Sequence, residues 1–250
     1  MKRIDLNADV GEGKAGDVGL LELVSSCNIA CGGHAGDGDS MARTVTAALR
    51  LGVAIGAHPS YPDRDGFGRK SGFLEGSALY DALSAQVQEF AATAAELGAR
   101  TAHVKLHGAL YADASRDAAL AEIAARVAAE LPGRVALVAP AGSALENAAA
   151  QAGLAFVAEA FVDRRYRANG SLVPREEAGA VLDSVPGMVA QALALATAGS
   201  AVTGEGTRIR VRADTLCIHG DTAGAVDAAR AVRAALVAQG FAILAPRHDG

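Results

Sequence analysis

Aromatic residues are scarce in this sequence. Tryptophan is absent, and only 4% of the 250 residues are aromatic. Hydrophobic residues nevertheless make up 51% of the chain and charged residues 20%, which is typical of a protein with an ordered core and argues against a disordered chain. The core must therefore be built mainly from alanine, valine, leucine and isoleucine.

The sequence also lacks an excess of positive charge and a long apolar run. Its 23 lysines and arginines face 28 aspartates and glutamates, which gives a net charge of −5. Nucleic acid and anionic membrane surfaces both require a basic face, so neither is expected as a partner. No apolar run approaches the roughly 18 residues that span a bilayer, and the first residues contain no apolar signal core. We therefore expect a cytoplasmic protein.

A disulfide framework is absent as well. Cys27, Cys31 and Cys217 are an odd number of cysteines in a chain without an export signal, so we expect reduced thiols. Cys27 and Cys31 have the i, i+4 spacing with which two side chains share a metal on a helix, as do His103 and His107. Both pairs fall in predicted strands, where four residues span about 13 Å, so neither pair is expected to chelate one ion.

No standard nucleotide-binding loop is present. The sequence has no Walker A motif, although Gly11, Gly13 and Gly16 have the G-x-G-x-x-G spacing directly after a predicted strand. Asp9 and Glu12 would place negative charge beside a pyrophosphate, so we reject a dinucleotide site there. Any nucleotide must be held in another way.

Short apolar runs alternate with alanine-rich stretches of helical periodicity along the chain. Strands are predicted near 3–8, 27–30, 53–57, 102–105, 135–138, 156–158, 215–218 and 242–244. Helices are predicted near 40–51, 77–97, 117–130, 143–152, 186–197 and 224–239, and an inserted hairpin at 204–211. This alternation indicates parallel strands with helical crossovers, which form either a closed barrel or an open doubly wound sheet.

The distribution of polar residues decides between these two folds. Six predicted strands run directly into segments rich in ionisable residues, whereas the helix-to-strand connections carry few. The loops after the strands of a barrel converge on one face, while an open sheet concentrates its site at one switch point. We therefore predict an α/β fold with a TIM-like (β/α) barrel. No linker marks a second domain, so 1–250 is predicted to be a single catalytic domain.

Residues two apart on a strand point to the same side, and this alternation predicts a polar barrel interior. Asp5 and Asn7 share one face of the first strand, and His103 and Lys105 share one face of the fourth. If the apolar faces meet the helices, these polar side chains line the lumen. Lys105 then either closes a structural ion pair with Asp5 or Glu159, or belongs to a polar lumen that opens into a functional site.

Four histidines follow four different predicted strands, and we expect them to converge: His34, His58, His107 and His219. With Asp9 and Glu12 they could serve as metal ligands, as general acid and base, or as donors to an oxyanion. Arg164 and Arg165, beside Asp163, have the forked donors that clamp a carboxylate or phosphate. For at least one of these arginines a solvated surface ion pair is the alternative.

Six segments of the sequence resemble the LamB/YcsF family. They are LNADVGEG from Leu6, NIACGGHAGD from Asn28, GAHPSYPDRDGFGR from Gly56, HVKLHGALY from His103, EAFVDRRY from Glu159 and CIHGDTAGAV from Cys217. The segments follow one another in order over nearly the full chain, so the resemblance is specific.

The resemblance implies a distorted (β/α) barrel of the glycoside hydrolase/deacetylase type. It also implies an ATP-hydrolysing 5-oxoprolinase, which opens the lactam of 5-oxo-L-proline to L-glutamate in a complex with two other subunits, B and C. A lactam is a poor electrophile, and phosphorylation of the amide oxygen would activate it for attack by water. The sequence leaves open which subunit binds ATP and whether the chain forms a homo-oligomer.

Under this resemblance, Asp9 or Glu12 is expected to act as general base. His58 and His107 are expected to polarise or protonate the reacting oxygen and nitrogen. Substrate or phosphate binding is assigned to Lys105, Arg164, Asn28, His34 and His219.

A divalent metal stays unassigned. Deacetylases of this barrel type place two adjacent aspartates after the first strand, one of them a metal ligand, whereas Val10 follows Asp9 here. Fold similarity alone does not transfer a metal site, so no ligand is carried over from those enzymes. The candidate ligands in this sequence are His34, His58 and His107.

Two other functions remain open from the sequence. One is a stand-alone metal-dependent amidase or carbohydrate deacetylase, which would bind metal tightly and need no ATP. The other is a non-catalytic regulatory subunit of a lactam-hydrolysing complex, an interpretation that the missing phosphate loop favours.

Overall fold

The computed structural model of the chain describes residues 2–221 and 224–246. In chain order the elements are β1 (Lys2–Val10), α1 (Asp17–Leu21), β2 (Ser26–Ala30), α2 (Gly38–Leu51), β3 (Ala54–His58), α3 (Gly76–Glu96), β4 (Thr101–Lys105), α4 (Gly108–Ala114), α5 (Ala118–Ala129), β5 (Ala136–Ala139), α6 (Ala144–Gln151), β6 (Ala155–Phe161), α7 (Val185–Ala198), β7 (Ser200–Val202), β8 (Arg208–Arg210), β9 (Thr215–Ile218), α8 (Ala225–Ala238) and β10 (Phe241–Ile243). None of the helices in these ranges is long and apolar enough to cross a membrane.

Seven parallel strands form a closed barrel, which confirms the predicted fold. Their order is β1-β2-β3-β4-β5-β6-β9, and β9 closes the ring by pairing with both β6 and β1. β10 is an eighth parallel strand that lies outside the ring and pairs with the first three residues of β1. The helical crossovers bring the carboxyl ends of all seven strands to one face.

The inserted hairpin is present, but its predicted bounds were wrong. β7 and β8 pair antiparallel, with Ser200 opposite Arg210, so the hairpin begins at Ser200 rather than at 204. Two short helices were also missed, α1 with five residues and α4 with seven. Both are shorter than the two helical turns over which an amphipathic pattern becomes recognisable.

The two faces of β1 divide as the alternation predicted. Leu6 and Ala8 are fully buried in the hydrophobic core, whereas Asp5 and Asn7 line the lumen. Seven consecutive residues of β1 are buried, as is usual for a parallel strand covered on both faces. With His103, the lumen side chains leave a cavity of about 10 Å³, which is room for about one water molecule. The interior is thus a filled polar column and not a channel.

Candidate active site

A cavity of about 280 Å³ opens at the carboxyl ends of the strands. This size is close to the lower end of small-molecule sites. Seven of the nine predicted site residues line it: Asp9, Glu12, His58, Lys105, His107, Arg164 and His219. The other two, His34 and Asn28, are buried directly behind the cavity wall and contact residues that line it.

Asp9, at the end of β1, lies at the centre of the site. Its Oδ1 accepts hydrogen bonds from Lys105 Nζ (2.9 Å) and Asn28 Nδ2 (2.8 Å), and its Oδ2 lies 3.4 Å from His58 Nε2. Burial by itself opposes ionisation of Asp9, but His58 and the Lys105 ammonium outweigh it and hold the pKa of Asp9 well below its ordinary value. Asp9 is therefore a buried carboxylate at neutral pH.

Asn28 fixes the orientation of Asp9 from inside the lumen. Its amide nitrogen donates to Asp9 and to Asn7 Oδ1 (2.8 Å), while its carbonyl oxygen accepts from His103 Nε2 at 2.7 Å. All these groups are buried. The polar column in the lumen thus supports the carboxylate from behind.

Lys105 lies between two carboxylates. Its Nζ is 2.9 Å from Asp9 Oδ1 and 2.9 Å from Glu159 Oε1, and it donates to Cys217 Sγ at 3.1 Å. Burial would lower the pKa of Lys105, but these neighbours raise it well above its ordinary value. The predicted ion pair with Glu159 is present, whereas the Asp5 carboxylate accepts hydrogen bonds from three hydroxyl groups instead.

His58 and His107 present lone pairs to each other. His58 Nδ1 lies 2.8 Å from the Lys105 carbonyl oxygen, and His107 Nε2 lies 3.0 Å from the Phe67 carbonyl oxygen. A carbonyl oxygen only accepts, so each of these nitrogens carries a hydrogen. The remaining nitrogens, His58 Nε2 and His107 Nδ1, then face each other as acceptors only 3.0 Å apart. Two facing lone pairs at this distance require a cation or a proton between them.

The loops after β3 and β4 are packed closely enough to hold this pair. Gly108 has a φ of 60°, and a Cβ there would lie 2.5 Å from the Gly68 carbonyl oxygen. Phe67, which presents its carbonyl to His107, also has a positive φ of 54°. Non-glycine residues rarely adopt this conformation, so the surrounding structure must hold Phe67 in place.

Glu12 completes the cluster from the turn after β1. The backbone N–H groups of Gly11 and Glu12 donate to Asp17 Oδ2 at 3.0 and 3.1 Å, so these amides already have an anionic partner. Glu12 Oε1 lies 3.3 Å from His34 Nε2 and 3.6 Å from His107 Nδ1. The glycine-rich turn thus positions a carboxylate toward the histidines.

His34 stacks on His107, with ring centroids 3.5 Å apart and planes 2° from parallel. Its Nδ1 is buried and has no hydrogen-bond partner among the described residues. Burial lowers the pKa of both histidines, that of His107 strongly, so both are neutral at pH 7. The side chains of Glu12, His34, His58 and His107 bring one ligand atom each within 4.8 Å of one another, so the donor set fits a divalent metal.

His219 lies on the opposite wall. Its Nδ1 and its backbone N–H both donate to the Asp163 carboxylate, at 3.0 and 3.1 Å, and its ring stacks on Phe161 with centroids 5.4 Å apart. Asp9, Cys217 and His219 form a second group whose ligand atoms lie within 4.8 Å. Cys217, like Cys27 and Cys31, is buried and free of a disulfide, as predicted.

Arginines surround the cavity mouth. Asp221 accepts from Arg69 at 2.6 Å and from Arg175 at 2.5 Å, which joins the loops after β3, β6 and β9. Arg164 donates to the Val173 carbonyl at 2.6 Å, and its buried Nε has no partner among residues 2–221 and 224–246. Burial and the neighbouring Arg175 lower the pKa of Arg164, which remains positive and faces the cavity. Arg165 is not among the residues that line it.

Sequence reasoning missed the roles of three groups that the structure brings to the site. Cys217 binds Lys105, Asp163 fixes His219, and Arg175 closes the mouth. The first two lie in the segments that resemble the LamB/YcsF family, so their position there was the available signal. Arg175 lies in the irregular stretch between β6 and α7, where no periodicity points to it.

Fold and site together define a TIM-like (β/α) barrel with a compact cluster of ionisable side chains at the carboxyl ends of its strands. A sequence model of the LamB/YcsF family matches residues 4–249, and the chain belongs to this family. A protein of Methylococcus capsulatus that is named as the A subunit of 5-oxoprolinase is 45% identical over 249 residues, which cover 98% of this chain and 96% of that protein.

Solved structures agree with this fold. The crystal structure of the lactam utilization protein from Thermus thermophilus has a TM-score of 0.90 and 37% identity, and the match covers 98% of this chain and all of that one. A family 4 carbohydrate esterase from Streptomyces lividans, solved with acetate, has a TM-score of 0.53 and 13% identity over 97% of this chain and 91% of that one. The esterase shares the fold alone.

Proposed function

We propose that the protein works as the A component of a 5-oxoprolinase, which hydrolyses 5-oxo-L-proline to L-glutamate and converts ATP to ADP and phosphate with subunits B and C. The names of the full-length relatives support the substrate and the role in a complex. The observation in this chain that carries the proposal is the ionised Asp9, held between Lys105 and His58 at a cavity of about 280 Å³. A cytoplasmic location agrees with ATP as second substrate.

Asp9 acts as the general base for the attacking water. It is ionised at neutral pH, and Lys105 and Asn28 occupy its Oδ1, so Oδ2 is the oxygen directed toward the reaction. A carboxylate with a low pKa is a weak base, and it suffices because phosphorylation by ATP makes the lactam carbon strongly electrophilic.

When no metal is bound, His58 and His107 hold one proton between their facing nitrogens, and they donate it to the departing ring nitrogen of the lactam. A divalent metal held by Glu12, His58 and His107 would polarise the lactam carbonyl at the same place. Arg164 supplies positive charge for the substrate carboxylate or the phosphate. The Lys105 ammonium donates to Asp9, Glu159 and Cys217, so it acts on the substrate through the Asp9 carboxylate that it holds in place.

ATP binding is assigned to a site shared with the partner subunits or located on them, because the chain has no phosphate loop. The test is a glutamate-release assay on 5-oxo-L-proline with this chain alone, with the partners alone, and with all subunits, each with and without ATP. Release in the full, ATP-containing mixture alone is the expected result. Release by this chain without ATP would overturn the proposal in favour of a stand-alone amidase.

Replacement of Asp9 by asparagine tests the base. We expect Asp9→Asn to reduce turnover at least a hundredfold in the full complex, since general bases contribute about 10²- to 10⁴-fold. The fold should persist, because Lys105 keeps its pair with Glu159. Steady-state kinetics and far-UV circular dichroism measure the two effects.

Asp81→Asn is the matched control, since Asp81 is exposed on α3 and remote from the cavity lining. It should retain wild-type turnover. Full activity of Asp9→Asn would instead indicate that the chemistry lies on a partner and that this chain has a regulatory role.

A further inference from the structure

The facing lone pairs of His58 Nε2 and His107 Nδ1 are the starting point for a metal site. Each ring donates its other N–H to a backbone carbonyl, at 2.8 Å for His58 and 3.0 Å for His107. This is the usual arrangement of metal-bound histidines, in which the outer nitrogen is fixed by an acceptor and the inner nitrogen is left for the metal. The two nitrogens left for a metal, His58 Nε2 and His107 Nδ1, face each other 3.0 Å apart.

The distances between the donor atoms match the edges of a tetrahedron around one ion. With metal–ligand bonds of about 2.0–2.1 Å, two ligand atoms of a tetrahedral site lie about 3.3 Å apart. His58 Nε2 and His107 Nδ1 are 3.0 Å apart, and His107 Nδ1 and Glu12 Oε1 are 3.6 Å apart. The third pair of ligand atoms, in Glu12 and His58, lies within 4.8 Å.

His34 lies behind Glu12, His58 and His107 and is not expected to bind the same ion. Its ring is parallel to that of His107, 3.5 Å away, so the in-plane lone pairs of the two rings run side by side and cannot meet at one ion. His34 also does not line the cavity, whereas the other three side chains do. Its Nε2 donates to Glu12 Oε1 at 3.3 Å, which makes His34 a positioning residue for the carboxylate.

We propose that Glu12, His58 and His107 bind one divalent transition-metal ion of the zinc class, with a fourth position open to the cavity. Two imidazoles and one carboxylate suit Zn²⁺ and its neighbours better than Mg²⁺ or Ca²⁺, which prefer oxygen ligands. Three protein ligands with an open position are typical of catalytic rather than structural zinc sites. The open position faces the cavity that Asp9 also lines.

Metal binding follows from the donor geometry and does not require the proposed lactam reaction. A failure to bind metal can therefore be distinguished from a failure to release glutamate. The experiment removes metal from the chain of residues 1–250 with a chelator and then titrates it with Co²⁺ and with Zn²⁺. We expect one ion per chain by calorimetry and elemental analysis, with visible Co²⁺ bands of a four- or five-coordinate site and a higher melting temperature. The absence of stoichiometric binding would overturn the proposal and leave a shared proton between the histidines.

Glu12→Gln is the principal variant, because glutamine has the same shape and does not leave a buried histidine position empty. We expect its affinity for Co²⁺ to fall at least tenfold, and His107→Gln to lose the Co²⁺ bands. An unchanged circular dichroism spectrum shows that Glu12→Gln is folded. The cobalt affinity of this variant then tests the site even if His107→Gln does not fold.

His219→Asn is the matched control, since His219 lines the same cavity but belongs to the group with Asp9 and Cys217. It should bind Co²⁺ as the wild type does. Loss of binding in this variant, or a cobalt–thiolate charge-transfer band from Cys217, would move the ion to that group and contradict the proposal.

Discussion

Asp5 and Asp9 lie on the same face of β1 and both are buried, but their pKa values shift in opposite directions. Asp9 contacts Lys105 and His58, which lower its pKa well below the ordinary value despite burial. Asp5 has only hydroxyl donors around it, and burial, followed by repulsion from Glu159, raises its pKa above 3.8. The lumen therefore favours the ionised form of Asp9 at the site and disfavours the ionised form of Asp5, which lies earlier on the same strand.

Replacement of Asp5 by asparagine tests this difference. A raised pKa means that the folded protein binds the proton more tightly than the unfolded chain does, so Asp5 favours folding below pH 3.8. That contribution is lost as the pH rises through the raised pKa. We expect Asp5→Asn to gain stability relative to wild type over this interval, by about 1.4 kcal/mol for each tenfold by which the folded protein binds the proton more tightly than the unfolded chain. Urea unfolding from about pH 4 to about pH 8 measures the gain, and a pH-independent difference would contradict it.

The positions of the ionisable groups could be predicted from the sequence, but their partners could not. Strand alternation directs Asp9, Lys105 and Glu159 inward, because each lies at the end of a recognisable strand. The pairing of Lys105 with Cys217 joins residues 112 positions apart, and nothing local indicates it. Such contacts depend on strand register around the whole ring.

At the scale of elements, β3 and β4 show how a strand makes room for the polar lumen. Their pairing shifts register between Ile55 and Gly56, and a Cβ at Gly56 would lie 2.2 Å from two atoms of the His103 ring. The ring can therefore reach Asn28 only because residue 56 has no side chain. The sequence indicated a strand here, but the reason for glycine depends on a ring from the neighbouring strand.

We expect Gly56→Ala to destabilise the protein by about 1–3 kcal/mol, as overpacking in a filled interior does. Gly38→Ala is the control, because the nearest atom to its Cβ, Glu89 Oε1, is 3.9 Å away and alanine suits the first turn of α2. Urea unfolding should therefore separate the two variants, with no loss for Gly38→Ala. Equal losses would show that the contact with His103 is not the cause.

At the scale of the molecule, the barrel could be predicted because polar residues follow six strands, and a closed ring makes the loops after its strands converge on one site. Which strand closes the ring could not be predicted. β9 and β10 both pair with β1, and both have apolar sequences of similar length, so the sequence does not say which strand completes the ring. That 1–250 forms a single catalytic domain stays a prediction.

The hairpin and the ring should differ in local stability. In the described part of the chain, β7 and β8 pair with each other and with no other strand, and every residue of β8 is at least partly exposed. We expect their amides to exchange with deuterium more than about a hundredfold faster than those of β1, whose opening requires global unfolding. Hydrogen exchange followed by mass spectrometry measures both. Equal protection would indicate that the hairpin unfolds with the ring.

The pairing of β1 with β9 also has a consequence for synthesis of the chain. The ribosome makes β1 first, and its closing partner begins about 200 residues later, which corresponds to roughly 10–40 s at ordinary elongation rates. Throughout that interval one edge of an almost wholly buried strand has no partner. We expect this edge to be open to pairing with other chains until β9 has been made.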